Sequence, residues 1–334
     1  MGNKKSVCFL QADFLNYIIF RTKLIRKEKI MINKLKEQGV DPNLLKLVED
    51  YISQHPLDPD LEAKLTKPAF IYYGKQVWEE AITAILAGQN LLLAGPKATG
   101  KNVLAENLAY LFKRPSWTLS FHINTDASSL IGSDTFKNGQ VEFRKGPILE
   151  CAEKGGYGIL DEINMARNDA VAVLHACLDF RRFIDIPGYS RINLRDETRF
   201  IATMNYGYMG TRELNEALAS RFLIIQVPSL TDSDLLKLIK SVYPDLKDEW
   251  VGQFSGLIAD LKLKNDNGEI SGKSLDLRGL LAAIKLMELN LSPYKALEMG
   301  LVNKSFDPYE QELIRDLIRL RIPEKLKSQE LFNK

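Results

Sequence analysis

The sequence has few cysteines, no long hydrophobic run and almost no net charge. Only three of its 334 residues are cysteines. Their spacing fits neither a paired metal site nor a disulfide framework, so we expect a reducing compartment, the cytoplasm. No apolar run approaches the ~20 residues that a membrane-spanning helix needs, so no membrane partner is expected. The formal net charge of +2 gives no reason to expect a nucleic acid. These absences leave a globular chain of one large or two ordinary domains.

The clearest pattern is a glycine-rich loop between a predicted strand and a predicted helix. Leu91–Leu93 is an apolar run typical of a buried parallel strand, and a helical pattern begins at Val103. The loop fits the phosphate-binding pattern G-x-x-x-x-G-K, with asparagine where serine or threonine is usual. The candidate nucleotide-binding residues are Gly95, Pro96, Lys97, Ala98, Thr99, Gly100, Lys101, Asn102 and Val103.

Each residue type in this loop suits a polyphosphate. Gly95 and Gly100 let the backbone curl so that successive N–H groups point inward, and the helix N-terminus adds a positive dipole. Lys101 supplies a full positive charge for the outer phosphates. Asn102 stands where a hydroxyl normally binds Mg²⁺, and its amide oxygen is a candidate replacement. The loop therefore predicts ATP with Mg²⁺, although it does not contact the base and GTP stays an alternative.

Two further predicted strands end in polar side chains. The apolar run 157–160 leads into Asp161 and Glu162, and the run 200–204 leads into Asn205. Open parallel sheets bind ligands at the carboxyl ends of their strands. We expect Asp161 to hold the Mg²⁺ ion through its water shell and Glu162 to orient and polarise the attacking water. The Asn205 amide is expected to contact the outer phosphate and that water.

Three arginines are candidate cations for a phosphate. Arg212 and Arg221 flank a short helical pattern before the last predicted strand, and either could serve a neighbouring subunit. A surface salt bridge is the alternative for both. Arg278 opens a helix of the C-terminal region, from which it could reach back to the γ-phosphate. A solvated helix charge is the alternative there.

Two β-hairpins are predicted as insertions in the α/β pattern. Residues 135–143 alternate on both sides of Asn138-Gly139, the strongest short-range hairpin signal. Residues 182–194 are predicted to form a second hairpin, which turns at Pro187-Gly188.

We predict three regions along the chain: an N-terminal helical extension over 1–66, an α/β nucleotide-binding domain over 67–228 and a helical domain over 229–334.

Residues 1–30 look unlike the rest of the chain. The segment Arg26-Lys27-Glu28-Lys29 is what a purine-rich ribosome-binding site yields when it is translated. We therefore hypothesise that Met31 is the true start, with an amphipathic N-terminal helix as the alternative. A native peptide from upstream of Met31, detected by mass spectrometry, would contradict the hypothesis.

In their order and spacing, these motifs resemble those of the MoxR-type AAA+ ATPases, the branch that includes the CbbQ and NorQ proteins and the dynein-related modules. The resemblance covers about residues 70–322, through GPKATGKN, LIGSDTFKNGQVEFRKGP, GILDEIN, RFIDIPGYSRI, ATMN, LNEALASRF and SLDLR. It implies a three-layer α/β/α parallel sheet with inserted β-hairpins and a small helical lid domain. The implied roles are phosphate lysine for Lys101, acidic pair for Asp161 and Glu162, sensor one for Asn205, arginine finger for Arg221 and sensor two for Arg278.

The resemblance also implies how such a protein works. ATP is sandwiched between subunits of a ring, usually a hexamer, and the hairpins face a pore or a partner. Family members typically pair with a von Willebrand factor A (VWA) domain protein and act as chaperones that insert metals or remodel client enzymes. We therefore predict an ATP hydrolase that remodels or activates a client protein.

Two other functions stay open at this point. A nucleotide-gated binding scaffold with little turnover is favoured by Asn102 and opposed by the intact Asp161-Glu162 pair. A nucleic-acid motor is suggested by the basic residues of the hairpins. It ranks lower because Glu142 and Asp185 lie among those residues and the whole chain is nearly neutral.

Overall fold

The computed structural model of the protein describes residues 31–186, 188–206 and 213–333. The hypothesis about residues 1–30, the turn residue Pro187 and the candidate cation Arg212 fall outside these ranges. The chain divides into two compact units. One comprises Met1–Gly95 and Lys101–Val227, and the other comprises Pro96–Gly100 and Pro228–Lys334.

The first unit alternates helices and strands. Residues 31–37 form α1. The elements that follow it are α2 (Pro42–Gln54), α3 (Lys75–Leu86), β1 (Leu91–Gly95), α4 (Lys101–Leu111), β2 (Ser116–Ser120), α5 (Ala127–Ile131), β3 (Gly132–Lys137), β4 (Gln140–Lys145), α6 (Pro147–Lys154) and β5 (Tyr157–Asp161). The remainder are α7 (Asn168–Val171), α8 (His175–Leu178), β6 (Phe183–Ile184), β7 (Ile192–Asn193), β8 (Arg199–Asn205), α9 (Glu216–Ala219) and β9 (Leu223–Gln226).

Five strands form one parallel sheet in the order β2-β5-β8-β1-β9. Side chains alternate along each strand. Leu91 and Leu93 of β1 enter a core with α2, α3 and α4, whereas Leu92 enters a second core with α5 and α6. Burial on both faces explains why the strands read as continuous apolar runs. The predicted α/β fold, a parallel sheet covered by helices on both sides, is confirmed.

The strand order decides which chain segments meet at one edge. β8 lies between β1 and β5, with Gly95 opposite Asn205 and Leu160 opposite Ala202. Because all three strands are parallel, their carboxyl ends share one edge of the sheet. The start of the glycine-rich loop, the acidic pair and Asn205 therefore converge there, where open α/β sheets bind ligands.

The first hairpin, formed by β3 and β4, emerges between α5 and α6. Its turn residues Asn138 and Gly139 both have positive φ, 52° and 81°, as a type I′ turn requires. At its base, Gly132 has a φ of 128° and a Cβ there would lie 2.2 Å from the Arg144 carbonyl oxygen. Only glycine allows the strands to close so tightly where they leave the helices.

The buried side-chain amide of Asn107 forms hydrogen bonds with the backbone of the segment that precedes α3. Asn107 of α4 accepts a hydrogen bond from the Tyr72 N–H at 2.9 Å and donates one to the Phe70 carbonyl at 2.8 Å. The Tyr72 ring is buried and packs edge-on against Trp78, with ring centroids 6.4 Å apart. Tyr72 is therefore a core residue of the first unit.

The second unit is helical after Pro228, as predicted. Its helices are α10 (Asp232–Val242), α11 (Asp248–Asp266), α12 (Leu277–Glu288), α13 (Pro293–Gly300) and α14 (Pro308–Arg321). They enclose their own core, in which Phe254, Leu280 and Ile314 are fully buried. Helices α12 and α13 touch through backbone, since a Cβ on Gly279 would lie 2.1 Å from the Gly300 carbonyl oxygen. Within the described residues, no helix is long and apolar enough to cross a bilayer.

Candidate functional site

The glycine-rich loop leads directly into α4. Ala98 and Gly100 have positive φ, 64° and 87°, so the backbone turns repeatedly over a short length. The Thr99 hydroxyl donates to the Pro96 carbonyl at 3.1 Å and steadies that turn. Lys101 is the first residue of α4, and its ammonium group donates to the Gly95 carbonyl at 3.1 Å. The charge of Lys101 is thereby held at the carboxyl end of β1.

A buried threonine links the two carboxylates after β5. The Thr203 hydroxyl donates to Asp161 Oδ1 at 2.7 Å and accepts a hydrogen bond from the Glu162 N–H at 3.1 Å. The Thr203 side chain is buried, at 1% exposed, whereas the two acidic residues are partly exposed. The contact fixes the Asp161 carboxylate and leaves its other oxygen for a ligand. The motif reading did not identify Thr203, because its role depends on β8 lying beside β5.

The Glu162 side chain is oriented by its backbone and by Asn205. Glu162 adopts the left-handed conformation, with φ 55° and ψ 45°, which costs a non-glycine residue about 1 kcal/mol or more and is common at functional sites. The Asn205 amide donates to Glu162 Oε1 at 3.0 Å. The structure therefore brings together two residues that the sequence predicts to act on the same water.

A third carboxylate, Glu106, lies near enough to Asp161 to interact with it electrostatically. It stands four residues after Asn102 in α4, so the two side chains share one helix face. Partial desolvation and the nearby Asp161 carboxylate raise the pKa of Glu106. Sequence reasoning missed Glu106, although its spacing from Asn102 was a usable signal.

These groups fit Mg²⁺ bound together with a nucleotide. Mg²⁺ prefers oxygen ligands and is commonly held by one or two carboxylates, substrate phosphates and water. Asp161, Glu106 and the Asn102 amide can supply such oxygens. In the ranges that the structure describes, no three histidine, cysteine, aspartate or glutamate residues cluster as a metal site. A metal here would take most of its ligands from phosphate and water.

Arg221 lies just after α9, close to the end of α8. Its Nε donates to the His175 carbonyl at 3.2 Å and lies 3.7 Å from Asp179 Oδ2. Its Nη1 donates to the Ala217 carbonyl. The guanidinium is thus held by short contacts within the first unit while part of it stays accessible to solvent.

Arg278 belongs to the second unit, in the first turn of α12. Its backbone N–H donates to Asp276 Oδ1 at 3.0 Å, which caps the helix. Asp276 Oδ2 also pairs with Lys304 at 3.1 Å. The predicted sensor role of Arg278 stays a prediction.

The two hairpins contact each other. Tyr189, in the loop between β6 and β7, donates its hydroxyl to Asp134 Oδ1 at 2.5 Å. The Tyr189 ring lies 4.9 Å from that of Phe143, centroid to centroid. At the tip of the first hairpin, Phe136 and Val141 form a cross-strand pair that is 78% and 64% exposed. Such an exposed apolar tip suits contact with another protein.

Comparisons with known proteins place this sequence in a family. Residues 90–222 match the model of the AAA domain, dynein-related subfamily. The Bacillus subtilis protein YojN, described as uncharacterized, is 33% identical over 271 residues, which cover 79% of this chain and 88% of YojN. An uncharacterized protein of Staphylococcus haemolyticus is 31% identical, over 77% of this chain and 99% of that protein. A crystal structure of a candidate ATPase from Cytophaga hutchinsonii is 16% identical with a TM-score of 0.42, covering 88% of this chain and 98% of that one.

Proposed function

Because the chain belongs to the dynein-related subfamily of AAA ATPases, we propose that it hydrolyses ATP as a ring and uses the energy to remodel a client protein. The ring is a hexamer in this proposal, as in MoxR-type proteins, and a VWA-domain protein is the expected partner. The observation that carries the proposal is the hydrogen bond from Asn205 to Glu162, 3.0 Å long. It lies at the same edge of the sheet as Gly95 and the Lys101 ammonium group.

The residues at this edge divide the work of phosphoryl transfer, which rests on positioning and charge stabilisation. The loop N–H groups and Lys101 bind and neutralise the phosphates. Asp161, held by Thr203, offers its remaining oxygen to Mg²⁺, which supplies further positive charge when bound. Glu162 orients the attacking water, and Asn205 keeps the Glu162 carboxylate in place. Arg221 is the cation proposed to stabilise the transition state in a neighbouring subunit.

The hairpins are the parts of this chain proposed to act on the client. The hydrogen bond between Tyr189 and Asp134 joins the two hairpins, and the exposed pair Phe136 and Val141 offers an apolar surface. The second hairpin continues through residues 194–198 into β8, which carries Asn205. A change at the nucleotide therefore has a short covalent route to the client-facing surface.

Assembly-dependent activity is the first test of the proposed function. ATPase activity per subunit should rise with protein concentration, because each site needs an arginine from its neighbour. A coupled phosphate-release assay over a wide concentration range measures this, with Glu162→Gln as the blank. Activity that is independent of concentration, and that Arg221→Ala leaves intact, would contradict a ring with shared sites.

The asparagine in the loop leads to a second expectation. We expect Asn102→Thr to raise ATP turnover by about tenfold, because a hydroxyl restores the usual Mg²⁺ ligand at this position of the loop. A Mg²⁺ titration of ATPase activity measures the effect, with Asn102→Ala as the control that offers no oxygen. If Asn102→Thr instead loses activity, the asparagine is itself the required ligand.

The same titration separates the nucleotide-gated scaffold from the ATPase. Asn102 is the observation that favours the scaffold. Natural protein that binds ATP without turnover above the Glu162→Gln blank, while Asn102→Thr hydrolyses it, would establish the scaffold.

A further inference from the structure

Two arginines share a single carboxylate at the end of α8. Asp179 accepts hydrogen bonds from Arg181, with Nε to Oδ1 at 3.1 Å and Nη2 to Oδ2 at 2.7 Å. The same Oδ2 lies 3.7 Å from Nε of Arg221. In the described part of the chain, Asp179 is the acidic residue that forms an ion pair with Arg221. It thus joins the candidate arginine finger to a second arginine, Arg181.

The charge of this cluster is unbalanced. The hydrogen bonds from Arg181 lower the pKa of Asp179, so the carboxylate is ionised near neutral pH. His175, the neighbouring histidine, has a lowered pKa because of desolvation and the positive charge of Arg221. Asp185 also acts on Arg181, but it forms an ion pair with Arg191. Asp179, Arg181 and Arg221 therefore carry two guanidinium charges against one carboxylate. A partly exposed site with excess positive charge attracts an anion.

Arg181 is held in place with one side open to solvent. Its side chain is 42% exposed, whereas that of Asp179 is 14% exposed. Its guanidinium lies 5.7 Å from the centroid of the Phe183 ring. Contact with the Phe183 ring and with Asp179 fixes the orientation of the Arg181 guanidinium, so little side-chain entropy is lost when an anion binds. Phe180, between the two charged residues in sequence, is 91% exposed.

We propose that Asp179, Arg181 and Arg221 form a binding site for the outer phosphates of a nucleoside triphosphate held by a second copy of this chain. This inference rests on the proposed function, since it needs a ring in which subunits share nucleotides. Arg221 contacts the outer phosphate, on which negative charge develops during hydrolysis. Arg181 makes a second, bidentate contact with the same phosphates. Asp179 is a positioning residue that holds both guanidiniums before the nucleotide arrives. Phosphate oxygens suit paired arginines because each guanidinium donates two parallel hydrogen bonds.

Arg181→Ala tests the second cation, and Arg191→Ala is its matched control. Arg191 is also exposed, pairs with one carboxylate, Asp185, at 2.8 Å and lies over the same Phe183 ring at 3.9 Å. We expect Arg181→Ala to lower kcat by about tenfold, the value of one charge-assisted hydrogen bond. Arg191→Ala should leave the basal ATPase activity within about twofold. Equal effects of the two variants would overturn the assignment of Arg181.

Assembly gives a readout that does not depend on turnover. In a Glu162→Gln background, ATP should drive ring formation, which light scattering after size exclusion detects. Adding Arg181→Ala should raise the chain concentration needed for assembly by about tenfold, whereas Arg191→Ala should not. Binding of a fluorescent ATP analogue by unassembled chains should be the same in all three proteins. Weaker binding by unassembled Arg181→Ala chains would place Arg181 at its own subunit's site and overturn the inference.

Asp179→Asn tests positioning. We expect kcat to fall by about tenfold, because the two guanidiniums lose their alignment. The KM for ATP should change little, because the nucleotide-binding residues of each subunit are intact. Asp179→Glu should recover part of the loss, which a merely structural role would not require. If natural protein neither assembles nor hydrolyses ATP, the proposed function fails as a whole. If Arg221→Ala abolishes activity while Asp179→Asn and Arg181→Ala match Arg191→Ala, only this inference fails.

Discussion

Arg221→Ala is expected to reduce ATP turnover by about 10³- to 10⁵-fold, the contribution of an arginine finger that acts on a neighbouring subunit. The reason lies in where the structure holds this side chain. Its guanidinium is anchored to the carbonyls of His175 and Ala217 and to Asp179, next to a solvent-accessible face. Single-turnover hydrolysis at saturating ATP measures the loss, and ATP affinity of the unassembled chain should be unchanged.

Mixing two inactive variants makes the test specific for a shared site. Arg221→Ala chains keep Glu162, and Glu162→Gln chains keep Arg221. Mixed rings should recover part of the activity, because some sites then combine an intact glutamate with a neighbour's arginine. Folding is controlled by circular dichroism of each variant alone. Failure of the mixture to recover any activity, although both variants assemble, would show that Arg221 does not act in trans.

Glu162→Gln is expected to lower turnover by about 10²- to 10⁴-fold while ATP still binds. The glutamine keeps the size of the side chain and the hydrogen bond with Asn205, yet it cannot polarise water as a carboxylate does. Single-turnover phosphate release and equilibrium ATP binding should be measured on the same preparation. The matched control is Glu142→Gln on the exposed first hairpin, which should leave both quantities unchanged. Turnover close to that of the natural protein would remove Glu162 from the catalytic role.

Much of the fold could be predicted because its signals are local. Leu91–Leu93, the run 157–160 and the run 200–204 are short apolar stretches that end in polar residues, and all three are parallel strands in the structure. The Asn138-Gly139 pair predicted the first hairpin because few other residue pairs adopt positive φ at both positions. The segment that leads to Asp179 is less regular, since a 3₁₀ turn over Ala172–Leu174 separates α7 from α8.

The supporting residues of the site escaped the sequence because their roles depend on neighbours distant along the chain. Thr203 matters only since β8 lies beside β5, which puts its hydroxyl 2.7 Å from Asp161. The role of Asp179 arises because α9 brings Arg221 to the end of α8, where the two residues form an ion pair. Neither pairing leaves a pattern of spacing or periodicity, because residues more than 40 positions apart meet through packing.

The sequence by itself determined the strands around the site, the first hairpin, the glycine-rich loop and the candidate residues for a nucleotide. Helix and strand periodicity, turn residues and the G-x-x-x-x-G-K spacing are local constraints on the backbone. Only the tertiary structure decided the order of the strands. That order places the end of β8 between those of β1 and β5, fixes Asp161 and Glu162 through Thr203 and Asn205, and gives two arginines one carboxylate. The physical reason is that the strand order depends on how side chains from distant segments pack into the two cores on the faces of the sheet, and no local sequence pattern encodes that packing.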